Sequence, residues 1–205
     1  MRIGIIDYGM GNLHSVTGAL RYIGADSFVS RDMAELSAAD ALILPGVGAF
    51  PLAMENLNSL NMVSFIREQA EKKPLLGICL GMQLLFDVGY EFGECKGLGL
   101  IPGKVIRLDD DRENFEYKIP HMGWNRLSVI NDSPLIKGMP ENAYVYFVHS
   151  YKAVVENRAD LCAATDYGCE ITAIVSKGNV YGTQFHPEKS ESVGLDILRN
   201  FCNII

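Results

Sequence analysis

The segment "PLLGICLGMQLLF", residues 74–86, carries one thiol, Cys79, with Gly77 two positions before it and Gly81 two positions after. Ahead of the cysteine, Leu75, Leu76 and Ile78 form the short apolar run of a strand buried on both faces. From Leu80 the pattern turns helical, and it predicts a helix over residues 80–88. A sharp turn from strand to helix lifts its central residue clear of the sheet, and crowding there requires neighbours without bulk. The segment therefore reads as a G-x-nucleophile-x-G elbow with sulfur as the nucleophile. A helix N-terminus at Leu80 favours thiolate over thiol. It also leaves the Leu80 N–H free to donate to an oxyanion forming beside the sulfur. A buried cysteine in an ordinary turn would carry the same letters, so the reading needs a base elsewhere in the chain.

Upstream, strand-like runs alternate with helical periodicity. "RIGIID" (2–7) reads as a buried strand ended by "YGMGN"; Leu13, Val16, Leu20 and Ile23 then recur at helical spacing before Gly24. "SFVS" and "ALIL" (41–44) read as further strands, Pro51 is placed to open a helix, and Met62, Phe65, Ile66 and Ala70 give another helix face. Such alternation indicates a parallel sheet covered on both faces. The second half is β-rich: "KVIRL", "RLSVI", "AYVYFVHSY", "ITAIVS" and "VYGTQFH" predict strands, with a hairpin turn at Lys177-Gly178-Asn179. Val193, Ile197, Leu198, Phe201 and Ile205 predict a closing amphipathic helix. The expected fold is α/β, a flavodoxin-like doubly wound mixed sheet extended by antiparallel strands, in a single domain over residues 1–205. Ligands of such sheets bind beyond the C-terminal strand ends, which singles out the loops at Gly9, Gly46, Cys79, His149 and His186.

The bulk properties narrow the function. A chain of 205 residues, 48% apolar, can bury one sizeable core. A net charge of −7 argues against a basic nucleic-acid face. No apolar run reaches the ~18 residues of a membrane span, and Asp7 interrupts the N-terminal apolar run too soon for a signal peptide. The cysteines (Cys79, Cys95, Cys162, Cys169 and Cys202) form no CxxC pair and no metal-ligand spacing. A reduced, cytoplasmic protein without metal or cofactor is expected.

Four histidines are available as base: His14, His121, His149 and His186. His186 ends an apolar strand and is followed by Pro187 and Glu188. In an extended H-P-E the ring and carboxylate project to one side, so Glu188 can hold one ring nitrogen while the other faces Cys79. This gives Cys79 as nucleophile, His186 as general base and acid, and Glu188 as orienter. His149 also sits at a strand end but has no carboxylate nearby in sequence, so it reads as pocket-lining or structural. His14 and His121 carry no catalytic signature. In "PGVGAF" (45–50) glycine freedom allows a backbone N–H to turn toward an anion, making Val47 or Gly48 the second oxyanion donor beside Leu80. Other motifs fail on inspection. "GMGN" has His14 where a dinucleotide fingerprint needs its third glycine, and Gly103-Lys104 lacks both the leading glycine and the Ser/Thr of a phosphate loop. Asp109-Asp110-Asp111 reads as a solvated loop.

Together "GICLGMQLL", "PGVGAF", "HMGWN", "YFVHSY" and "QFHPEKS" resemble the class I, triad-type glutamine amidotransferases across essentially the whole chain. "DYGMGNL", "PGVGAF" and "KIPHMGWN" narrow the resemblance to the branch that serves imidazole glycerol phosphate synthase. The resemblance implies that fold, and glutamine hydrolysis through a γ-glutamyl thioester on Cys79. It implies a heterodimer in which ammonia passes to a (β/α)8-barrel cyclase subunit. Gly48, Gln83, Ser150 and Tyr151 would contact glutamine; Asn12, Trp124, Tyr146 and Lys189 would lie toward the barrel. It further implies that the glutaminase is nearly silent until the partner and its ligand rearrange the Pro45–Gly48 loop. A glutaminase serving another synthase, such as that of vitamin B6, is the alternative within enzymes; a redox sensor using the elbow cysteine is the alternative outside them.

Overall fold

A computed structural model of the chain describes residues 2–110 and 115–204. Asp111 of the acidic run and Ile205 of the predicted last helix lie outside the described residues. The first half alternates as expected. It runs β1 (Arg2–Ile6), α1 (Leu13–Tyr22), β2 (Asp26–Ser30), α2 (Met33–Ser37) and β3 (Ala41–Gly46). α3 (Phe50–Ser59) and α4 (Met62–Lys72) follow, then β4 (Leu75–Cys79) and α5 (Leu80–Leu84). The second half holds β5 (Phe86–Gly89), β6 (Cys95–Lys96), β7 (Ile101–Arg107), β8 (His121–Arg126) and β9 (Ser128–Val129). It continues with β10 (Tyr144–His149), β11 (Tyr151–Val155), β12 (Leu161–Asp166), β13 (Glu170–Lys177), β14 (Val180–Thr183) and α6 (Glu191–Cys202).

The main sheet has eight strands in the order β2-β1-β3-β4-β14-β13-β12-β9. The first five are parallel, and β13, β12 and β9 add on antiparallel. This is a doubly wound mixed sheet with an antiparallel extension. Its central strands β1, β3, β4 and β14 are buried on both faces because helices cover both, whereas the edge strand β2 is only partly buried and β9 is open to solvent. Ile3, Ile5, Ile43, Leu76 and Ile78 pack on the side of α1 and α6, with Val16, Leu20, Ile197 and Phe201. Leu42, Leu44 and Leu75 face α3 and α4, with Leu57 and Ile66. The split follows the alternation of side chains along each strand. Lys177 pairs with Val180 across the β13–β14 hairpin, and Gly178 at its turn has φ +57°, the left-handed conformation such two-residue turns require.

One expectation needs correction, and two β-rich runs divide into separate strands. The helix predicted over 80–88 ends at Leu84, and residues 86–89 form β5 instead. β5 pairs with β7 and β6 in a second sheet, of order β11-β7-β5-β6, and Gly89 there lies against the Phe50 ring. That long-range pairing overrides the local helical period. The run "AYVYFVHSY" is two strands: β10 pairs with β8, the chain breaks at Ser150, and β11 joins β7. "RLSVI" likewise spans the end of β8 and the short β9, which pairs with β12.

The glycines beside Cys79 are required by close approach. A Cβ on Gly77 would stand 2.6 Å from the Gly81 carbonyl oxygen, and one on Gly81 would run into the Leu44 carbonyl. No rotation of a flexible side chain relieves a clash with backbone. Gly81→Ala is therefore expected to destabilise the fold by about 3 kcal/mol or more, read as a lower urea midpoint. An unchanged midpoint would show that α5 does not pack on β3 as described.

Candidate active site

β3, β4 and β14 end side by side, and their C-terminal loops surround a cavity of about 370 Å³. Cys79 lies at the end of β4 with φ +56° and ψ −112°, a strained conformation for a residue other than glycine. The elbow thus holds its thiol against the backbone's preference, on the cavity wall and 7% exposed. α5, which begins at Leu80, has only five residues. It offers a shorter run of aligned peptide dipoles than the predicted helix, while Leu80 remains its first residue and lines the cavity.

His186 lines the same cavity as Cys79. Its Nδ1 is 2.7 Å from Glu188 Oε1, and both side chains are almost fully buried. The carboxylate accepts, so Nδ1 carries a proton and Nε2 is left for the sulfur. Burial by itself would lower the His186 pKa. The hydrogen bonds to Cys79 and Glu188, with their negative charges, outweigh it and push the value up to about 10. The ring is held ready as a proton donor.

The rival, His149, has both nitrogens occupied. Nδ1 donates to the Tyr151 carbonyl at 2.8 Å, and Nε2 lies 3.0 Å from His121 Nδ1. Burial and the neighbouring His121 ring bring its pKa down to about 3. His149 is a neutral structural ring on the cavity wall. His121 is stacked between Phe147 and Tyr167, with centroids 4.7 and 3.9 Å away.

The remaining expected residues divide into two groups. Val47, Gly48, Gln83, Ser150 and Tyr151 all line the cavity. Gln83 Nε2 donates to the Tyr151 carbonyl and to Gln184 Oε1, each at 3.0 Å, and Gln184 Nε2 lies 3.9 Å from the Cys79 sulfur. The Val47 N–H, expected as an oxyanion donor, is instead donated to the Met10 carbonyl at 3.3 Å. In this conformation it is not available to an anion. In the second group, Trp124 and Tyr146 sit opposite each other across β8 and β10, with ring centroids 6.0 Å apart. Lys189 is exposed at the cavity rim, and Asn12 caps α1 by accepting from the Ser15 N–H.

Two polar residues of the site escaped the sequence reading. Glu91 lines the cavity and accepts from the Phe50 N–H at 2.6 Å, so a carboxylate rests on the first turn of α3. Nothing around Glu91 in the sequence signals this. Gln184 did carry a signal, since it lies two residues before His186, the spacing that puts side chains on one face of an extended chain.

The pattern of the family described as "Glutamine amidotransferase class-I" matches residues 4–205. The chain belongs to the class-I glutamine amidotransferases. Among relatives of this amidotransferase, "Imidazole glycerol phosphate synthase subunit HisH" of Shouchella clausii is 53% identical over 206 residues, covering 99% of this chain and 98% of that protein. Proteins of the same name from Bacillus subtilis and Bacillus cereus are 52% and 50% identical over 204 residues, covering 98% and 99% of this chain and 96% and 95% of theirs. A solved structure titled PurLQS from Thermotoga maritima shares the amidotransferase fold, with TM-score 0.75 and 19% identity over 99% of this chain and 98% of that one. Among the described residues no helix is long and apolar enough to cross a membrane.

Proposed function

We propose that this amidotransferase is the glutaminase subunit of an imidazole glycerol phosphate synthase, with Cys79, His186 and Glu188 as its triad. The observation that carries the reading is identity of about half over nearly the full length to relatives bearing that subunit's name. Those names do not favour the vitamin B6 alternative. The H-P-E ion pair on the thiol's cavity is a proton shuttle that a redox sensor has no use for.

The chemistry follows from the groups present. The Cys79 sulfur adds to the side-chain amide carbon of glutamine, and the carbonyl oxygen becomes an oxyanion met by the Leu80 N–H. The His186 imidazolium gives its proton to the amide nitrogen, which leaves as ammonia while the γ-glutamyl thioester forms. The ring, now neutral, takes a proton from water, which cleaves the thioester to glutamate. Glu188 keeps the imidazole in the needed tautomer throughout. Gly48, Gln83, Ser150 and Tyr151 contact the substrate, and Glu91 supplies the negative charge that suits its ammonium group.

The second oxyanion donor comes from the Pro45–Gly48 loop. Of the two candidates, Val47 and Gly48, we take the Val47 N–H as that donor: held on Met10 it is withheld, and turnover waits until the Gly46–Val47 peptide turns over. The trigger is a (β/α)8-barrel cyclase subunit carrying its ligand, docked through Asn12, Trp124, Tyr146 and Lys189. Met122 and Tyr144, 61% and 50% exposed on the same strand pair as Trp124, extend that surface. The cyclase joins the ammonia to a phosphoribulosyl intermediate, giving imidazole glycerol phosphate and an aminoimidazole carboxamide ribotide. Glutamine hydrolysis by the purified chain is expected to be slow and to rise about 100-fold when the cyclase and its ligand are added. Full activity of the chain alone would contradict this reading.

A further inference from the structure

Tyr8 follows β1 and shares its loop with Met10. The residue is 2% exposed, and among the described residues its hydroxyl has no hydrogen-bond partner. A buried, unpaired hydroxyl is costly, and one kept in a fold calls for a reason. Its location supplies one. A Cβ on Gly46 would stand only 2.8 Å from the Tyr8 hydroxyl oxygen, and Gly46 pairs with Cys79 across β3 and β4. The orphaned group therefore abuts the peptide that governs the oxyanion site. Burial, helped by the Cys79 charge, holds the phenol well above its ordinary pKa, so it stays an O–H donor.

The Gly46–Val47 peptide now points its N–H at the Met10 carbonyl. In a planar trans peptide the carbonyl points the opposite way. Turning the N–H into the cavity swings the Gly46 carbonyl toward the Tyr8–Met10 loop. There it would meet another carbonyl oxygen unless a donor receives it. We infer that the Tyr8 hydroxyl is that donor: the turn exchanges the Val47 N–H bond to Met10 for a Tyr8 O–H bond to the Gly46 carbonyl. Tyr8 is then a positioning residue, holding the peptide in its active orientation without touching substrate. The inference rests on the proposed activation by the cyclase.

The test is Tyr8→Phe in the complex with the cyclase and its ligand, assayed for glutamine hydrolysis. Losing one net hydrogen bond from the active orientation should lower kcat about tenfold while KM stays within about twofold. The thermal midpoint of the chain should not fall, because the hydroxyl has no partner to lose in the resting state. An unchanged kcat, a lower midpoint, or a KM that rises as kcat falls would overturn the inference. A second variant with 2-fluorotyrosine at position 8, whose phenol stays protonated at neutral pH, keeps the donor and should stay within about threefold of the native rate. A loss equal to that of phenylalanine would also refute it. Native protein that gains nothing from the cyclase would instead sink the functional reading beneath it.

Discussion

Cys79→Ser is expected to lower glutamine-dependent synthesis by the complex at least about 10⁴-fold while leaving synthesis from ammonium salt within about threefold of native. The substitution exchanges one atom. Serine can occupy the strained elbow at φ +56° as readily as cysteine does, and the glycines around it keep their clearances. The chemistry changes far more, because an alcohol holds its proton where a thiol facing His186 can release it. The ammonium route bypasses Cys79 altogether, so its survival reports an intact, docked subunit. Loss of both routes would mean that the sulfur serves folding or assembly and not catalysis.

Glu188→Gln is expected to lower the activated kcat about 10³-fold with little change in KM. The amide is nearly the size of the carboxylate and its oxygen can still accept from His186 Nδ1, so the tautomer survives. What is lost is the charge that keeps the ring an imidazolium before it protonates the leaving nitrogen, and that favours it again when the ring takes a proton from water. The raised pKa of His186, which rests on the Cys79 sulfur and on Glu188 together, also makes stability depend on pH. The folded His186 pKa is raised, so this contribution is complete below the ordinary histidine value of about 6.5. It then disappears as pH rises toward the folded value of about 10. Native unfolding free energy should therefore fall between pH 7 and 10, and Glu188→Gln should flatten that slope. Parallel slopes for the two proteins would show that Glu188 does not hold the charged ring.

The parts legible in the sequence are those fixed by neighbours along the chain. The parallel strands announce themselves because a strand covered on both faces is apolar throughout, as in "ALIL" and "LLGI". The elbow is written in the glycines that its close packing needs, and the H-P-E pair in a two-residue spacing. The features that escaped depend on partners far away in sequence. β5 reads as helix because Phe86 and Val88 take strand geometry from β7 and β6. The break at Ser150 separates strands whose partners belong to different sheets. Glu91 reaches α3 from a loop 41 residues later. Val47 shows a limit of another kind. Its glycine neighbours permit either peptide orientation, so the letters alone cannot say that Met10 holds its N–H.

The proposed mechanism turns on one covalent bond, between the Cys79 sulfur and the glutamyl carbon. Acid-quenching the complex during turnover with isotopically labelled glutamine, followed by mass spectrometry of its peptides, should find a labelled glutamyl group on the peptide carrying Cys79 and on no other cysteine, and none in Cys79→Ser. Native turnover with that sulfur unacylated, or with the label on a different residue, would contradict it.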